Sequence, residues 1–136
     1  MRNPTNLNVL TRAKAFQLAL HESPLSQRAR AVPGLGAQLS RSLGSIVWNI
    51  AEGAAGDDPT FARHLLIAIG SANEAEQQLY LAHARNLLGS QGDWYMKEVV
   101  EIRKMTIGLR KSVLGRIALG GTDGEPEVRV GRSAEQ

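Results

Sequence analysis

The sequence predicts an all-α protein, namely an antiparallel up-and-down four-helix bundle followed by a flexible C-terminal tail. In four segments, apolar residues recur at alternating spacings of three and four, which is typical of the buried stripe of an amphipathic helix. Short stretches rich in Gly, Pro, Ser and Asp separate these segments, and short connections make neighbouring helices antiparallel. No strand-like alternation extends over a useful length.

The predicted bundle is a single domain spanning residues 1–119, with helices at about 7–22, 35–54, 59–88 and 93–118. The stripe of the first helix consists of Val9, Ala13, Phe16 and Leu20. This helix is predicted to stop near Ser23 and Pro24, because proline lacks an amide proton and disfavours helix in the residue before it.

The second and third helices are separated by a Gly- and Asp-rich turn. The stripe of the second consists of Leu35, Leu39, Leu43, Ile46 and Ile50. Asp58 is the predicted N-cap of the third helix, with Pro59 at the first helical position, where a missing donor costs nothing. The stripe of the third is Phe61, Leu65, Ala68, Ala72, Ala75, Leu79 and Ala82, whose small residues allow a neighbouring helix to approach closely.

The fourth helix follows a second Gly-rich break, in which Ser90 or Asp93 is the predicted cap. Its stripe consists of Tyr95, Val99, Ile102, Thr106, Leu109, Val113 and Ile117. After Leu119 the composition becomes polar and Gly-rich, so residues 120–136 are predicted to form a disordered tail.

Composition limits the class of protein. The chain has 136 residues, 43% of them hydrophobic, and no cysteine, so disulfides and thiolate chemistry are excluded and packing must hold the fold. No uncharged run approaches the roughly 20 residues of a membrane span, and residues 1–7 lack the apolar core of a signal peptide. We therefore expect a soluble cytoplasmic protein with no membrane partner.

The net charge of +3 is unevenly distributed. Residues 1–56 carry six basic and two acidic side chains, residues 57–93 two and five, residues 94–120 six and two, and residues 121–136 two and four. Basic segments therefore flank an acidic centre. Pairing of these segments within the bundle or between subunits is favoured over a nucleic-acid surface.

The residues that usually carry catalysis or bind metals do not form a recognisable site. His21, His64 and His83 lack the i, i+4 spacing of two ligands on one helix face, and no Glu-x-x-His motif is present. No P-loop follows Gly34 and Gly36, and nothing groups Ser, His and an acid as a triad. We therefore predict no metal, no cofactor and no enzymatic activity. An acid/base pair of Glu52 and Glu74 is the remaining enzymatic alternative.

Two sets of polar residues are the candidate sites. The first is a polar seam between the second and third helices, in which 3-4-3 spacing aligns Ser42, Ser45, Asn49 and Glu52 on one helix and Ser71, Glu74 and Gln78 on the other. This seam is either a ligand or partner site, or a device that sets helix register or a subunit interface, and we favour the second interpretation.

The second set is basic. The last helix carries Arg103, Lys104, Arg110, Lys111 and Arg116. Residues 103 and 110 are seven apart, as are residues 104 and 111. Three further arginines lie earlier in the chain, namely Arg28, Arg30 and Arg41. Such a strip can contact phosphates without sequence specificity. A solvated helix face gives the same pattern, and no interleaved aromatic residues are available to stack on bases.

Residues 45–79 resemble a known family. The turn Asn49-Ile50-Ala51-Glu52-Gly53, the step Ala68-Ile69-Gly70-Ser71 and the ending Glu74-Ala75-Glu76-Gln77-Gln78-Leu79 are similar to the bacterial four-helix-bundle proteins encoded in intervening sequences of 23S ribosomal RNA genes. The resemblance extends over about residues 7–118. Asn49, Glu52, Glu74 and Glu76 match the pattern of this family. On the basis of this match, Glu76 is added to the predicted seam.

The resemblance implies a ring-like homo-oligomer, typically a pentamer, with no established enzymatic activity. A related group, the accessory variability proteins of diversity-generating retroelements, binds a reverse transcriptase and nucleic acid. This chain departs from the family at Val47, where proline is common, and at residues 54–58, where two aspartates replace basic residues. We therefore expect a non-enzymatic, homo-oligomeric binding or scaffold protein. The alternative is a nucleic-acid-binding accessory protein that uses RNA, DNA or a reverse transcriptase as partner and the basic faces of the second and fourth helices.

Overall fold

A computed structural model describes residues 4–23, 25, 32–122 and 125–126. It contains the helices α1 (Pro4–His21), α2 (Leu35–Ala54), α3 (Asp58–Ala84) and α4 (Gly92–Ala118), with a short 3-10 turn at Gly89–Gln91. Strands β1 (Gly121–Thr122) and β2 (Glu125–Pro126) form a two-residue antiparallel pair after α4. The predicted all-α four-helix bundle is confirmed. Among the described residues, no helix is both long and apolar enough to cross a membrane.

Side-chain contacts show that neighbouring helices run in opposite directions. From one end of the α2–α3 pair to the other, Ser42 contacts Glu74, Ser45 contacts Ser71 and Asn49 contacts His64, so numbers rise on α2 as they fall on α3. The same order relates α3 to α4, where Glu76 contacts Arg103 and Asp58 contacts Arg116. Helix α4 also returns to α1, since Phe16 packs against Tyr95 with ring centroids 6.0 Å apart. Helix α3 is therefore antiparallel to α2 and to α4, and the contacts of Arg12 with Glu98 and of Ala19 with Tyr95 show that α1 is antiparallel to α4.

The core consists of the predicted stripes. Every stripe residue of the first three helices is buried, as are Tyr95, Val99, Ile102, Thr106 and Val113 on α4. Leu109 and Ile117 are partly buried and pack against this core. Alanines at Ala68, Ala72 and Ala75 bring α3 close to its neighbours, and Leu87 and Leu88 close the core beyond the end of that helix.

Two predicted helix ends at α3 are wrong. The N-cap is Asp57, whose side chain accepts a 2.9 Å hydrogen bond from the Thr60 amide, while Asp58 is already helical. The helix ends at Ala84, four residues before the predicted end. Asn86 adopts a positive φ of 57°, and the Leu87 amide donates to the Ala82 carbonyl, which is the hydrogen bonding of a Schellman motif.

The cap predicted for α4 is also different. Helix α4 begins at Gly92 after Gln91, and neither Ser90 nor Asp93 caps it with a side-chain hydrogen bond. Asp93 instead lies in the first turn, where its Oδ1 is 3.1 Å from His83 Nε2. Of the predicted tail, residues 123–124 and 127–136 lie outside the described residues, as do residues 24 and 26–31 of the connection between α1 and α2.

Candidate functional site

The polar seam between α2 and α3 contains a continuous chain of hydrogen bonds. The hydroxyls of Ser45 and Ser71 are 2.7 Å apart. Asn49 Nδ2 donates to both the carbonyl and the hydroxyl of Ser45, at 2.8 and 3.1 Å. Residues 45 and 49 are one turn apart on α2, so both face α3. The seam thus links two helices through groups that are largely shielded from water.

His64 extends this chain, although the sequence analysis assigned it to no site. Its Nδ1 is 2.9 Å from Asn49 Oδ1. Since Asn49 Nδ2 faces the Ser45 carbonyl, Oδ1 is the atom that faces the histidine, and His64 Nδ1 must donate. His64 lies seven residues before Ser71 on the same strip of α3, and this spacing is the signal that could have identified it.

A polar cleft opens at the other end of the seam. The Ser42 hydroxyl is 3.1 Å from the Gln38 carbonyl and 3.2 Å from Glu74 Oε1. The cleft has a volume of about 390 Å³ and is lined by Gln38, Arg41, Ser42, Ser45, Ser71, Glu74 and Gln78. All seven side chains are polar. One of them, Gln78, has a buried Oε1 atom with no hydrogen-bond partner among the described residues.

Two residues predicted for the seam lie elsewhere. Glu52 is exposed near the end of α2 and does not line the cleft. Glu76 faces α4 instead, where its carboxylate pairs with Arg103, which also donates to Asn73 Oδ1 at 3.1 Å. The seam therefore comprises Ser42, Ser45, Asn49, Ser71, Glu74 and Gln78 from the predicted set, together with His64. Glu52 and Glu74 do not share a site.

The arginines of the predicted basic strip bind α3. Arg110 Nε donates to the Ala62 carbonyl at 2.9 Å. Arg116 donates to both carboxylate oxygens of Asp58 at 3.1 and 3.2 Å. With Arg103 on Glu76, three arginines thus attach α4 to α3.

The remaining basic residues are differently placed. Lys104 and Lys111 are exposed and have no hydrogen-bond or ion-pair partner among the residues that the structure describes. Arg41 lies on the cleft. Arg28 and Arg30 lie outside the described residues. Of the predicted basic residues on α4, Lys104 and Lys111 are therefore the two that are exposed and not bonded to α3.

An apolar patch lies on the outer side of the same two helices. It consists of Trp48, Leu66 and Ile67, which are 65%, 53% and 48% exposed. The seam register sets their positions, because Asn49 bonds to His64 and Ser45 to Ser71, so that Trp48 on α2 lies at the level of Ile67 on α3. Leu66 directly precedes Ile67 on α3, so the three exposed side chains lie at one level of the α2–α3 pair.

No group of three or more His, Asp or Glu side chains that could hold a metal ion occurs among the described residues. Elsewhere, the α1–α4 contact contains two groups with altered pKa values. A hydrogen bond from Arg12 to Glu98 raises the pKa of the guanidinium, and burial raises the pKa of Tyr95. Both residues join α1 to α4, through the Arg12–Glu98 ion pair and the hydrogen bond from the Tyr95 hydroxyl to the Ala19 carbonyl.

Comparison with known proteins identifies the family. The model of the 23S rRNA-intervening sequence protein family matches residues 5–108. The chain belongs to this family. The family assignment covers all four helices, although α4 extends ten residues beyond the matched range. The resemblance predicted from the motifs of α2 and α3 is thus confirmed.

One solved structure is similar to this member of the 23S rRNA-intervening sequence family. It is a crystal structure of a protein of unknown function from the S23 ribosomal protein family of Bacteroides thetaiotaomicron. The TM-score is 0.69 at 24% sequence identity, and the alignment covers 79% of this chain and 98% of the other. The likeness shows a shared fold. No curated protein matches the chain.

Proposed function

We propose that the protein is a non-enzymatic, homo-oligomeric bundle that serves as a binding scaffold. The observation that carries this proposal is the apolar patch of Trp48, Leu66 and Ile67. Contiguous apolar side chains at the surface of a soluble domain commonly mark a protein interface. Trp48 is suited to such a role, because tryptophan is enriched among the residues that dominate binding energy.

Features around the patch favour a second copy of the chain as the partner. Gly70, one turn after Leu66 and Ile67 on α3, is exposed and has open space around it, so another helix can approach closely here. The hydrogen-bonded seam joins α2 to α3 and provides a rigid support for the patch. On the family resemblance, we propose a closed ring of five copies.

Light scattering after size-exclusion chromatography tests this proposal. We expect an oligomer at tens of micromolar and a clear shift toward monomer for Trp48→Ser and for Ile67→Ser. Tyr80→Ser is the matched control, because Tyr80 is 64% exposed on α3 yet lies outside the patch. A strictly monomeric wild-type protein, or equal effects of Trp48→Ser and Tyr80→Ser, would contradict the proposal.

We propose nucleic-acid binding as the second candidate function, with Lys104 and Lys111 as the contacts. Both are exposed, and they lie seven residues apart, on one strip of α4. Arg103, Arg110 and Arg116 are engaged with α3, which leaves fewer cations to meet a phosphate backbone than the predicted strip supplies. In this function the protein is an accessory factor for RNA or DNA, with a reverse transcriptase as a further partner.

A further inference from the structure

We infer that a groove between α1 and α2 binds a small amphiphilic anion, that is, a compound with one apolar chain and an anionic head group. The groove has a volume of about 550 Å³, which lies within the range of small-ligand sites. Val47 lines it, whereas Trp48 of the apolar patch points about 100° away around α2. The groove is therefore distinct from the proposed interface, and the inference does not rest on self-association.

Most of the groove is lined by apolar side chains. Leu20, Leu39 and Leu43 line it and belong to the buried core. Leu18 also lines it but is 58% exposed, so an apolar ligand that covers Leu18 removes further apolar surface from water. The lining residues 36–47 extend over roughly 16 Å of α2. An elongated apolar surface of this kind suits a single extended alkyl chain.

Polar side chains line the groove along one strip of α1. Lys14, Gln17 and His21 are spaced 3-4 in the sequence, so they lie on the same side of that helix. Each of these side chains ends in a group with at least one N–H donor. The Lys14 ammonium forms no hydrogen bond or ion pair with the residues that the structure describes. The strip therefore offers donors to the head group of a ligand.

The charge of the two helices selects an anion. Helix α1 contains no acidic residue, and the one carboxylate of α2 is Glu52. Neither Glu52 nor Glu22, which follows α1, lines the groove, and no other acidic side chain lines it within the described parts of the chain. An anionic head group beside Lys14 therefore meets a positive charge and N–H donors. A cation in the same position would meet Lys14 without a counter-charge.

Carboxylate and phosphate head groups share this chemistry, and the test distinguishes them. It uses the full chain, labelled with ¹⁵N, and follows the backbone amides by NMR during titration. Decanoate and decyl phosphate are the two probes. Acetate lacks the alkyl chain, decanol lacks the charge and decylammonium carries the opposite charge, so these three compounds are the control ligands.

We expect saturable shifts confined to the amides around Lys14 and Leu43 with at least one of the two probes. The probe that saturates at the lower concentration identifies the preferred head group. Decanol and decylammonium should bind at least about threefold more weakly, and acetate should not saturate. No saturation by either probe at millimolar concentrations would overturn the inference. Equal binding of decylammonium would overturn it too, because the alkyl chain alone would then explain the shifts.

Variants separate the groove from general adsorption to the surface. Ser40→Phe places a large side chain in the groove and should abolish saturable binding, whereas Ala37→Phe, at an exposed position of α2 outside the groove, should not. Lys14→Gln leaves the core untouched and should weaken binding about threefold, as expected for one exposed ion pair. Lys97→Gln on α4 is its matched control, since Lys97 is exposed and does not line the groove. If Ser40→Phe and Lys14→Gln bind the saturating probe as tightly as their controls, the assignment of the groove is wrong.

Discussion

Arg116 near the end of α4 holds the carboxylate of Asp58 at the start of α3 through two hydrogen bonds, of 3.1 and 3.2 Å. Asp58 is completely buried. A charge in that position requires a partner, because removing a carboxylate from water is expensive. The two ends of the α3–α4 hairpin are therefore joined by an ion pair.

We expect Arg116→Ala to lower the free energy of unfolding, because it takes the guanidinium away from a buried carboxylate. Arg116 itself is 44% exposed, so water screens the pair. We expect a loss of about 2 kcal/mol, below the roughly 3–5 kcal/mol found for fully enclosed pairs. Urea unfolding measures the loss. Lys111→Ala is the control, and a loss as small as that of Lys111→Ala would show that the pair contributes little.

The N-cap at Asp57 predicts a dependence of stability on pH. Hydrogen bonds from Thr60 lower the pKa of Asp57 below that of an ordinary aspartate. The ionised form is the one that caps, so this stabilisation is complete above the ordinary carboxyl pKa and is lost as pH falls through the lowered value. At neutral pH, Asp57→Ala should cost about 1 kcal/mol.

Thermal unfolding of the Asp57 variants across an acid pH series checks this prediction. The difference between wild type and Asp57→Ala should shrink in acid. Asp57→Asn should keep most of the neutral-pH stability, because asparagine also caps, but should lose the pH-dependent part. A difference between wild type and Asp57→Ala that stays constant down to acid pH would contradict the assigned cap.

Close packing at Gly53 predicts that alanine is not tolerated there. A Cβ atom at this position would lie 2.6 Å from His64 Cβ and 2.9 Å from a ring carbon of Phe61. The His64 Cβ cannot move without its backbone, so Gly53→Ala should destabilise the protein by about 2 kcal/mol. Gly108→Ala is the control, because Gly108 has open space around it on α4 and should gain roughly 0.5–1 kcal/mol. Equal unfolding midpoints for the two variants would refute the steric argument.

For nucleic-acid binding, the two exposed lysines predict a specific salt effect. Neutralising one phosphate contact changes the logarithmic salt slope by about 0.9 for duplex DNA, so the double variant Lys104→Ala, Lys111→Ala should flatten the slope by about 1.8. Fluorescence anisotropy at several salt concentrations measures the slope. Lys14→Ala with Arg63→Ala forms the matched control, since these two exposed cations lie on α1 and α3 rather than on α4. The same slope for both double variants would remove Lys104 and Lys111 as contacts.

Helical periodicity was sufficient to predict the fold. The burial of a side chain such as Leu65 or Ile102 depends on which face of its own helix it occupies, and the residue spacing specifies that face. Helix ends were less predictable. Asp57 and Asp58 are both good capping residues, and the choice between them depends on which carboxylate reaches Arg116 in the folded bundle.

The candidate site was predictable only in part, for a related reason. Ser45 and Ser71 lie on strips that were predicted to face each other, and their hydroxyls are in contact. Glu76 was added to the seam from the family motif alone; it lies two residues from both Glu74 and Gln78, and a rotation of about 100° per residue turns it away from the seam, toward α4 and Arg103. Partners of long charged side chains depend on the register between helices, which no single helix specifies.

The antiparallel order also suggests a sequence of events in folding. Most α2–α3 and α3–α4 contacts join neighbouring segments of the chain, whereas Arg12 and Glu98 are 86 residues apart and Ala19 and Tyr95 are 76 apart. Closing long loops is slow compared with forming local hairpins. We therefore expect the contacts within the α2–α3 and α3–α4 hairpins to form before the long-range contacts between α1 and α4.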